Sequence, residues 1–484
     1  MYVSIYTVEN PRDLFGKVHG NKCQQVSIQF QAKMAAVEVH NPDDILKRFS
    51  KLLQTGELSD LTLKVDGQRF RCHRLLLCAS SDVLNTMLTS RLWPEGRSDI
   101  VVLREDPECA AVFQHFLEYL YTGQVTLEKH NVLPLLTLAD KYNVPSLSRS
   151  CLNYMVDACC PATLKYILHW LQYAIICSYK NLEEKCMQFI TANFDDAVCL
   201  ADFHQISRDV LIAFLRQDDL VVSSELHLYS AVKRWFEANI DESSEENDDL
   251  FYIVMKYIKF PMIPLKELIR LENDSIASHS KFFLQNIFCA LKYHTGTKMD
   301  FSEDLLKQLK ERERFQPRVY VTETWSTEII VENVSRLAEG EVRGAFFSTP
   351  GSYAEIDQSC HHDWHVMFYP RGVVYSDCQM ISWMNCLQNP GGKFQTVRLA
   401  LSTHCQKRRK FRITVLVMGP CANGEEFVFT AKTTDAIFDS DCTLFNYDNI
   451  IPYEEVLKKK SPYKINDSIK LKIVIRPEFQ QMKA

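Results

Sequence analysis

From Pro42 the apolar residues fall at helical spacing. Ile45, Phe49, Leu52 and Leu53 stand at i, i+4, i+7 and i+8, one face of an amphipathic helix that Gly56 ends. The period then drops to two. Leu61, Leu63 and Val65 alternate with Thr62, Lys64 and Asp66; Asp66-Gly67 makes a hairpin turn, and Phe70 and Cys72 continue on a returning strand. The segment RLLLCASSDVLNTML reads as two short helices broken at Ser80-Ser81, residues suited to cap the second. DIVVL is a strand. Asp106 and Pro107 then open a helix with Phe113, Phe116, Leu117 and Leu120 on its inner face, stopped at Thr122-Gly123. A further short strand and the helix NVLPLLTLADKYNV complete an α/β unit near Tyr154.

Beyond it the pattern is helical almost throughout to residue 295, as in LEEKCMQFITANF, RDVLIAFLRQ and ELHLYSAVKRWFEANI. The acidic run DESSEENDD (Asp241–Asp249) reads as a solvated loop, with Ser243-Ser244 a weak phosphorylation candidate. After the charged connector KQLKERERFQP (Lys307–Pro317) the period is two again. RVYVTETW, WHVMFYPRGVVY, FQTVRLALS, FRITVLVMG, EEFVFTAK and SIKLKIVI are strands, separated by turns such as Pro370-Arg371-Gly372 and Asn389-Pro390-Gly391-Gly392. The predicted fold is multidomain α+β. A flexible extension (1–39) precedes an α/β domain (40–155), an all-helical domain (156–295) and a connector (296–317); an antiparallel β-sandwich (318–478) and a tail (479–484) follow. Met34, followed by two alanines, reads like a natural start, which would make residues 1–33 optional.

Composition narrows the function. A chain of 484 residues suggests about three domains, and 46% apolar with 24% charged residues suffices for real cores. A net charge of −6 gives no electrostatic case for nucleic acid. The one basic run, KRRKFR (Lys407–Arg412), leads into an apolar strand and reads as a solvated strand edge. YILHWLQYAIICSY, the best membrane candidate, falls short of the ~20 residues a span needs and carries His169 and Gln172, so no membrane partner is expected. Seventeen scattered cysteines, and an N-terminal segment without an apolar core of signal-peptide length, favour buried free thiols in a reducing, cytoplasmic setting. Sequons at Asn273, Asn333 and Asn466 keep a secreted alternative open.

A search for chemistry finds little. Gly391-Gly392-Lys393 lacks the glycine and Ser/Thr of a phosphate loop, and there is no H-E-x-x-H, G-x-S-x-G or pair of CxxC knuckles. The densest ligand set is Cys360, His361, His362 and His365. Its adjacent histidines point apart, so it reads as a polar loop entering a strand, with His361 and His365, or Cys378, left as a metal alternative. The reading is therefore no catalytic residue, no cofactor and no metal. In FRCHRLLLCASS, Cys72 beside Phe70 and Cys78 within its apolar helix are structural thiols. Asp60, His73 and Arg74 are the unusual residues: a carboxylate and a guanidinium that meet at a buried corner are expected to pair.

These residues carry a resemblance. SDLTLKVDGQRFRCHRLLLCASSDVLNTML, with FLEYLYTGQV and LLTLADKYNVPSLSRSC, resembles the BTB/POZ domain. FLRQDDLVVSSELHLYSAVKRWF and YIKFPMIP resemble the BACK helical domain, and WHVMFYPRGVVY resembles a TRAF/MATH-type strand pair. The arrangement over most of 40–478 is similar to the galectin-3-binding-protein-like branch of BTB/POZ–BACK proteins, without a match to that branch's secretory leader or scavenger-receptor domain.

The resemblance implies a non-catalytic homodimer that bridges cullin-3 to a protein substrate. BTB dimers pack through the first helix, here Ile45, Phe49 and Leu52, with Asp60 and Arg74 in a charged pocket nearby. Cullin-3 adaptors carry a hydrophobic-x-Glu motif after the third BTB helix, which LWPEG supplies as Trp93-Pro94-Glu95, Leu92 being the other hydrophobic choice; Tyr121 corresponds to an aromatic used on that face. The sandwich is then the substrate reader, with Tyr369 and Arg371 of the YPRG turn as exposed candidates. An oligomeric scaffold without a ligase role, intracellular or secreted, remains the alternative.

Overall fold

A computed structural model describes residues 41–90, 93–240, 247–271, 281–296, 312–354, 360–375, 394–420 and 426–478. Helix α1 (Pro42–Thr55) ends where expected. Gly56 takes φ +66° and returns its N–H to the Leu52 carbonyl, and a Cβ there would meet the Arg71 side chain at 2.7 Å, so both conformation and space demand glycine. Strands β1 (Leu61–Val65) and β2 (Gln68–Cys72) form the predicted hairpin through Asp66 and Gly67, both at positive φ. Strand β3 (Ile100–Leu103) joins β1 in parallel, giving the order β2-β1-β3. Helices α2 (Arg74–Ser80) and α3 (Asp82–Thr89) part at Ser81, whose Oγ accepts the Leu84 N–H at 3.0 Å.

Two local expectations fail here. The helix opened by Pro107 is split at Val112 (φ −101°, ψ 4°) into α4 (Pro107–Ala111) and α5 (Phe113–Thr122), because Cys109 and Ala110 must be buried as well as the Phe113–Leu120 face. The strand expected after Gly123 does not form. Asn131 closes that segment instead, accepting the Glu128 N–H at 2.8 Å and donating to the Thr126 carbonyl at 3.0 Å. Helices α6 (Val132–Lys141) and α7 (Pro145–Asp157) complete the unit.

The helical region comprises α8 (Leu164–Ile176), α9 (Lys180–Ala192), α10 (Phe194–Ala197), α11 (Arg208–Leu215), α12 (Glu225–Asn239), α13 (Asn247–Met255), α14 (Leu265–Leu271) and α15 (Lys281–Thr295). Ser207 and Ser224 cap α11 and α12 through their side chains. One apolar core runs without a break from Leu63 and Phe116 in the first unit to Trp170, Phe214, Phe260 and Phe283 in the second. Residues 241–246 with Ser243-Ser244, and also Leu92, Asn273, Cys378 and the Asn389–Gly392 turn, lie outside the described residues.

The sandwich stacks two four-stranded sheets, β11-β10-β13-β6 and β12-β9-β8-β7. Its strands are β6 (Ser326–Val331), β7 (Arg343–Pro350), β8 (His361–Tyr375), β9 (Phe394–Ser402), β10 (Arg409–Pro420), β11 (Glu426–Phe438), β12 (Leu444–Tyr447) and β13 (Ile469–Pro477), with a short helix α16 (Tyr453–Leu457) before the last. Trp364, Phe368, Phe411, Phe438 and Ile473 fill the space between the sheets. The YPRG segment is no turn: β8 continues through it as a bulge, where pairing with β9 shifts register between Tyr369 and Val373 and Gly372 takes φ +77°. The basic run lies at an interior strand, not an edge, because β10 is flanked by β11 and β13; Lys410 and Arg412 pair with Asp435 at 2.9 and 3.1 Å.

Candidate protein-interaction site

The corner after β2 is held by a closed relay. The His73 N–H donates to the Tyr121 hydroxyl at 2.8 Å, that hydroxyl meets His73 Nδ1 at 2.8 Å, and Nε2 reaches the Glu57 carbonyl at 2.7 Å. Because a carbonyl only accepts, Nε2 carries the proton and Nδ1 accepts from Tyr121. Tyr121 is 4% exposed, and burial pushes its phenol well above the usual value. It therefore lies behind the surface it was expected to decorate. The sequence placed it at a helix end; only packing turned it inward. Cys72 is fully buried beside it, its thiol pushed up to about 12 by burial, as a structural thiol requires.

Asp60 and Arg74 meet, but not as an ion pair. The Arg74 backbone N–H donates to Asp60 Oδ1 at 2.8 Å, so the carboxylate serves the first turn of α2. The Arg74 guanidinium points elsewhere, donating to the Leu88 carbonyl at 2.8 Å and to the Ser98 carbonyl. Asp60 stays exposed, so it needs no cation to offset burial. The guanidinium instead ties the end of α3 to the segment entering β3.

Between those anchors a 3-10 turn, Pro94–Arg97, folds back on the end of α3. A Cβ at Gly96 would stand 2.1 Å from the Ser90 carbonyl oxygen, so only glycine permits this return. The turn leaves Trp93 55% exposed, with Glu95 half-buried beside it. Helix α1 shows a second open surface. None of its residues is buried; Ile45 is 52% exposed, and Phe49 and Leu52 are half-buried, Phe49 leaning on the core with Leu53. Leu58, Leu75, Ile100 and Val102 are exposed too and escaped the sequence reading. For Ile100 and Val102 the signal was present in DIVVL: with Val101 and Leu103 facing the core, a period of two sends these two apolar residues outward.

On the sandwich, Tyr369 and Arg371 are less free than a turn would leave them. Both are half-buried; Tyr369 lies opposite Arg398, which Asp448 clamps at 2.7 and 3.0 Å, and Arg371 reaches the Ser335 carbonyl at 3.5 Å. The more open feature of that sheet is Phe346, 79% exposed and stacked on His365 with centroids 4.2 Å apart. It borders a cavity of about 620 Å³ lined also by Ser348, Asp363, Thr403 and His404. The histidine cluster is taken apart by strand alternation. His361 and His365 lie four residues apart on β8, ~13 Å along a strand, while His362 faces inward. His362 contacts Cys405 Sγ at 3.6 Å and Arg409 at 3.1 Å; burial and the arginine's charge hold its pKa down. Among the described residues no three His, Cys, Asp or Glu side chains converge as a metal set.

The sandwich is locked to the helices. Residues Arg314 to Tyr320, expected in part to be a polar connector, are buried or half-buried along the helical region, and β5 (Val319–Tyr320) pairs in parallel with β4 (Val221–Val222). Arg318 and Glu225 are both fully enclosed and 3.3 Å apart. The guanidinium donates to the carbonyls of Gln217, Leu215 and Tyr257 at 2.6–2.9 Å, while Glu225 receives the Tyr320 hydroxyl at 2.6 Å and the Lys259 N–H at 2.7 Å. Burial, then the charge of Arg318, lowers the Lys259 amine, although it pairs with Asp218 at 2.7 Å. Arg476 of β13 donates to the Asp218 and Pro317 carbonyls, Asp219 and Thr414. Asn193 completes the seam. Its amide donates to the Val428 carbonyl at 3.0 Å and accepts the Val428 N–H at 2.8 Å, pairing with edge strand β11 as a neighbouring strand would.

Comparison with known proteins places these units. Residues 49–158 match the BTB/POZ domain, 167–273 the BTB And C-terminal Kelch domain, and 315–479 the BTBD17 TRAF domain. BTB/POZ domain-containing protein 17 of Xenopus laevis is 27% identical over 93% of both chains, and that of Homo sapiens is 25% identical over 93% of this chain and 91% of its own. Kelch repeat and BTB domain-containing protein 8 of Mus musculus is 30% identical over 45% of this chain and 35% of its own, a shorter match than either. With its BTB surface open and its sandwich seated on the BACK helices, the chain carries BTB/POZ, BACK and C-terminal TRAF domains and is similar along nearly its whole length to BTB/POZ domain-containing protein 17.

Proposed function

We propose that the protein is a non-catalytic, homodimeric substrate adaptor of a cullin-3 ubiquitin ligase, acting in the cytoplasm. Cullin-3 docks on the BTB surface at Trp93 and Glu95, two copies meet through Ile45, Phe49 and Leu52, and the TRAF domain holds the substrate. The observation that carries this reading is the indole of Trp93, held in water by a turn that only glycine permits. A large aromatic on a rigid support is what an interface hot spot needs. Tyr121 contributes from behind by fixing the corner, and Asp60 and Arg74 brace the elements that flank the dimer face. The half-buried Tyr369 and Arg371 belong to the sheet proposed to face substrate. A dimer displays two such sheets, so modest affinity at each is multiplied by avidity.

Calorimetry with the cullin-3 N-terminal domain tests the reading. Wild type is expected to bind, and Trp93→Ala/Glu95→Ala to lose at least about 2 kcal/mol of affinity while light scattering still reports a dimer. A folded wild type that does not bind overturns it. One observation favours the scaffold alternative in that event: Asn333 and Asn466 are both exposed and adjacent, the Val334 N–H donating to the Asp467 carbonyl at 2.9 Å, so glycans there would place the chain on the secretory route.

A further inference from the structure

Two thiols at the joint between the BTB and BACK domains are placed to react with each other. Cys159 lies in the irregular link after α7, and Cys186 projects from the middle of α9. Their Sγ atoms are 3.9 Å apart across 27 positions of sequence. A bonded pair needs a closure of only ~2 Å. The link around Cys159 belongs to no helix or strand, so closure there need not break a hydrogen-bonded ladder. Cys186 is fully buried and Cys159 half-buried, so Cys159 is the more accessible residue of the two to a small solute.

The surroundings assign different roles to the two. Either sulfur can donate across this contact, and Cys159 Sγ also reaches the Met155 carbonyl at 3.3 Å; the sulfur–sulfur contact, opposed by burial and aided by the Lys185 charge, lowers the Cys159 thiol below its usual value. The same contact, reinforced by burial, pushes Cys186 far up. A half-buried thiol backed at 3.9 Å by a fully buried one is the arrangement of an attacking cysteine and its resolving partner. Neighbouring Cys160 is engaged otherwise, its sulfur 3.7 Å from the Thr163 hydroxyl.

We propose that Cys159 and Cys186 are a hydroperoxide-responsive couple that closes to an intrachain disulfide across the BTB–BACK joint. The Cys159 thiolate attacks one oxygen of the hydroperoxide; the O–O bond breaks, the far oxygen leaves as alkoxide or hydroxide and takes a proton from water, and Cys159 becomes a sulfenic acid. The Cys186 sulfur attacks the Cys159 sulfur; the S–O bond breaks, and the thiol proton departs with the hydroxyl as water. Two electrons pass from the thiol pair to the peroxide, and an external thiol reverses the change. The consequence is mechanical. Helix α9 leads directly to Asn193, which holds the sandwich edge, so the bond ties the end of the BTB domain to the helix that bears the TRAF domain.

The test treats full-length protein with stoichiometric hydrogen peroxide, blocks remaining thiols by alkylation, and maps peptides without reduction. The expected result is a Cys159–Cys186 linked peptide formed at least about tenfold faster than oxidation of the exposed Cys199. Cys160→Ser leaves that product intact; Cys159→Ser, at the half-buried position, abolishes it; Cys186→Ser leaves a dimedone-reactive sulfenic acid at Cys159. The proposal is overturned if wild type keeps both thiols alkylatable, or if Cys159 joins Cys160 or a second chain instead. Because wild type alone decides between these outcomes, a misfolded variant does not rescue the idea.

Discussion

On the BTB surface Ile45, Trp93, Ile100 and Val102 are each more than half exposed, while at the seam between BACK and sandwich Arg318, Glu225 and Arg476 are sealed from water and hydrogen-bonded within the chain, except at the Nε atoms of the two arginines. One region leaves apolar area open and the other hides charge, each the reverse of what a self-sufficient surface or core would choose. The first costs no strain in the monomer and gains when a partner covers it. The second is expensive to disturb, because a buried charge that loses its counterpart keeps its desolvation penalty. The contrast separates a face that waits for another protein from a joint that fixes domain orientation.

The contrast can be broken from the sealed side first. Arg318→Ala leaves Glu225 buried without its cation and three carbonyls without a donor, and it is expected to lower stability by about 3–5 kcal/mol, read from the denaturant midpoint. Asn193→Ala removes both bonds to Val428 and is expected to cost about 2 kcal/mol, with faster amide exchange along β11 as its signature. On the open side the effect should reverse in kind. Ile45→Asp is expected to change monomer stability by less than about 0.5 kcal/mol while halving the mass seen by light scattering. A large stability loss from Ile45→Asp, or none from Arg318→Ala, would dissolve the distinction.

Period-two and helical patterns identified most elements, because burial on one face imposes a repeat that neighbours along the chain must obey. Caps and turns were equally legible where one residue decides them, as at Gly56, Ser81 and Asp66-Gly67. The failures share a cause. Val112 breaks a helix, YPRG runs on as a bulge, and Gln124–Glu128 forms no strand because tertiary neighbours outweighed local preference. Site residues divide similarly. Exposure of Trp93 follows from a local turn, whereas the burial of Tyr121 depends on His73, 48 residues earlier.

What the sequence determined by itself was the succession of an α/β unit, a helical unit and a sandwich, together with the residue types able to serve at their surfaces. Alternation and helical spacing are local, and they survive whatever the chain packs against. Only the tertiary structure decided that Asp60 would serve a backbone N–H, that residues Arg314–Pro317 at the end of the connector would be held against the BACK helices, and that Cys159 would face Cys186. A hydrogen bond or a thiol contact depends on a few ångströms between distant residues, and nothing in the order of the chain fixes that distance until the cores have packed.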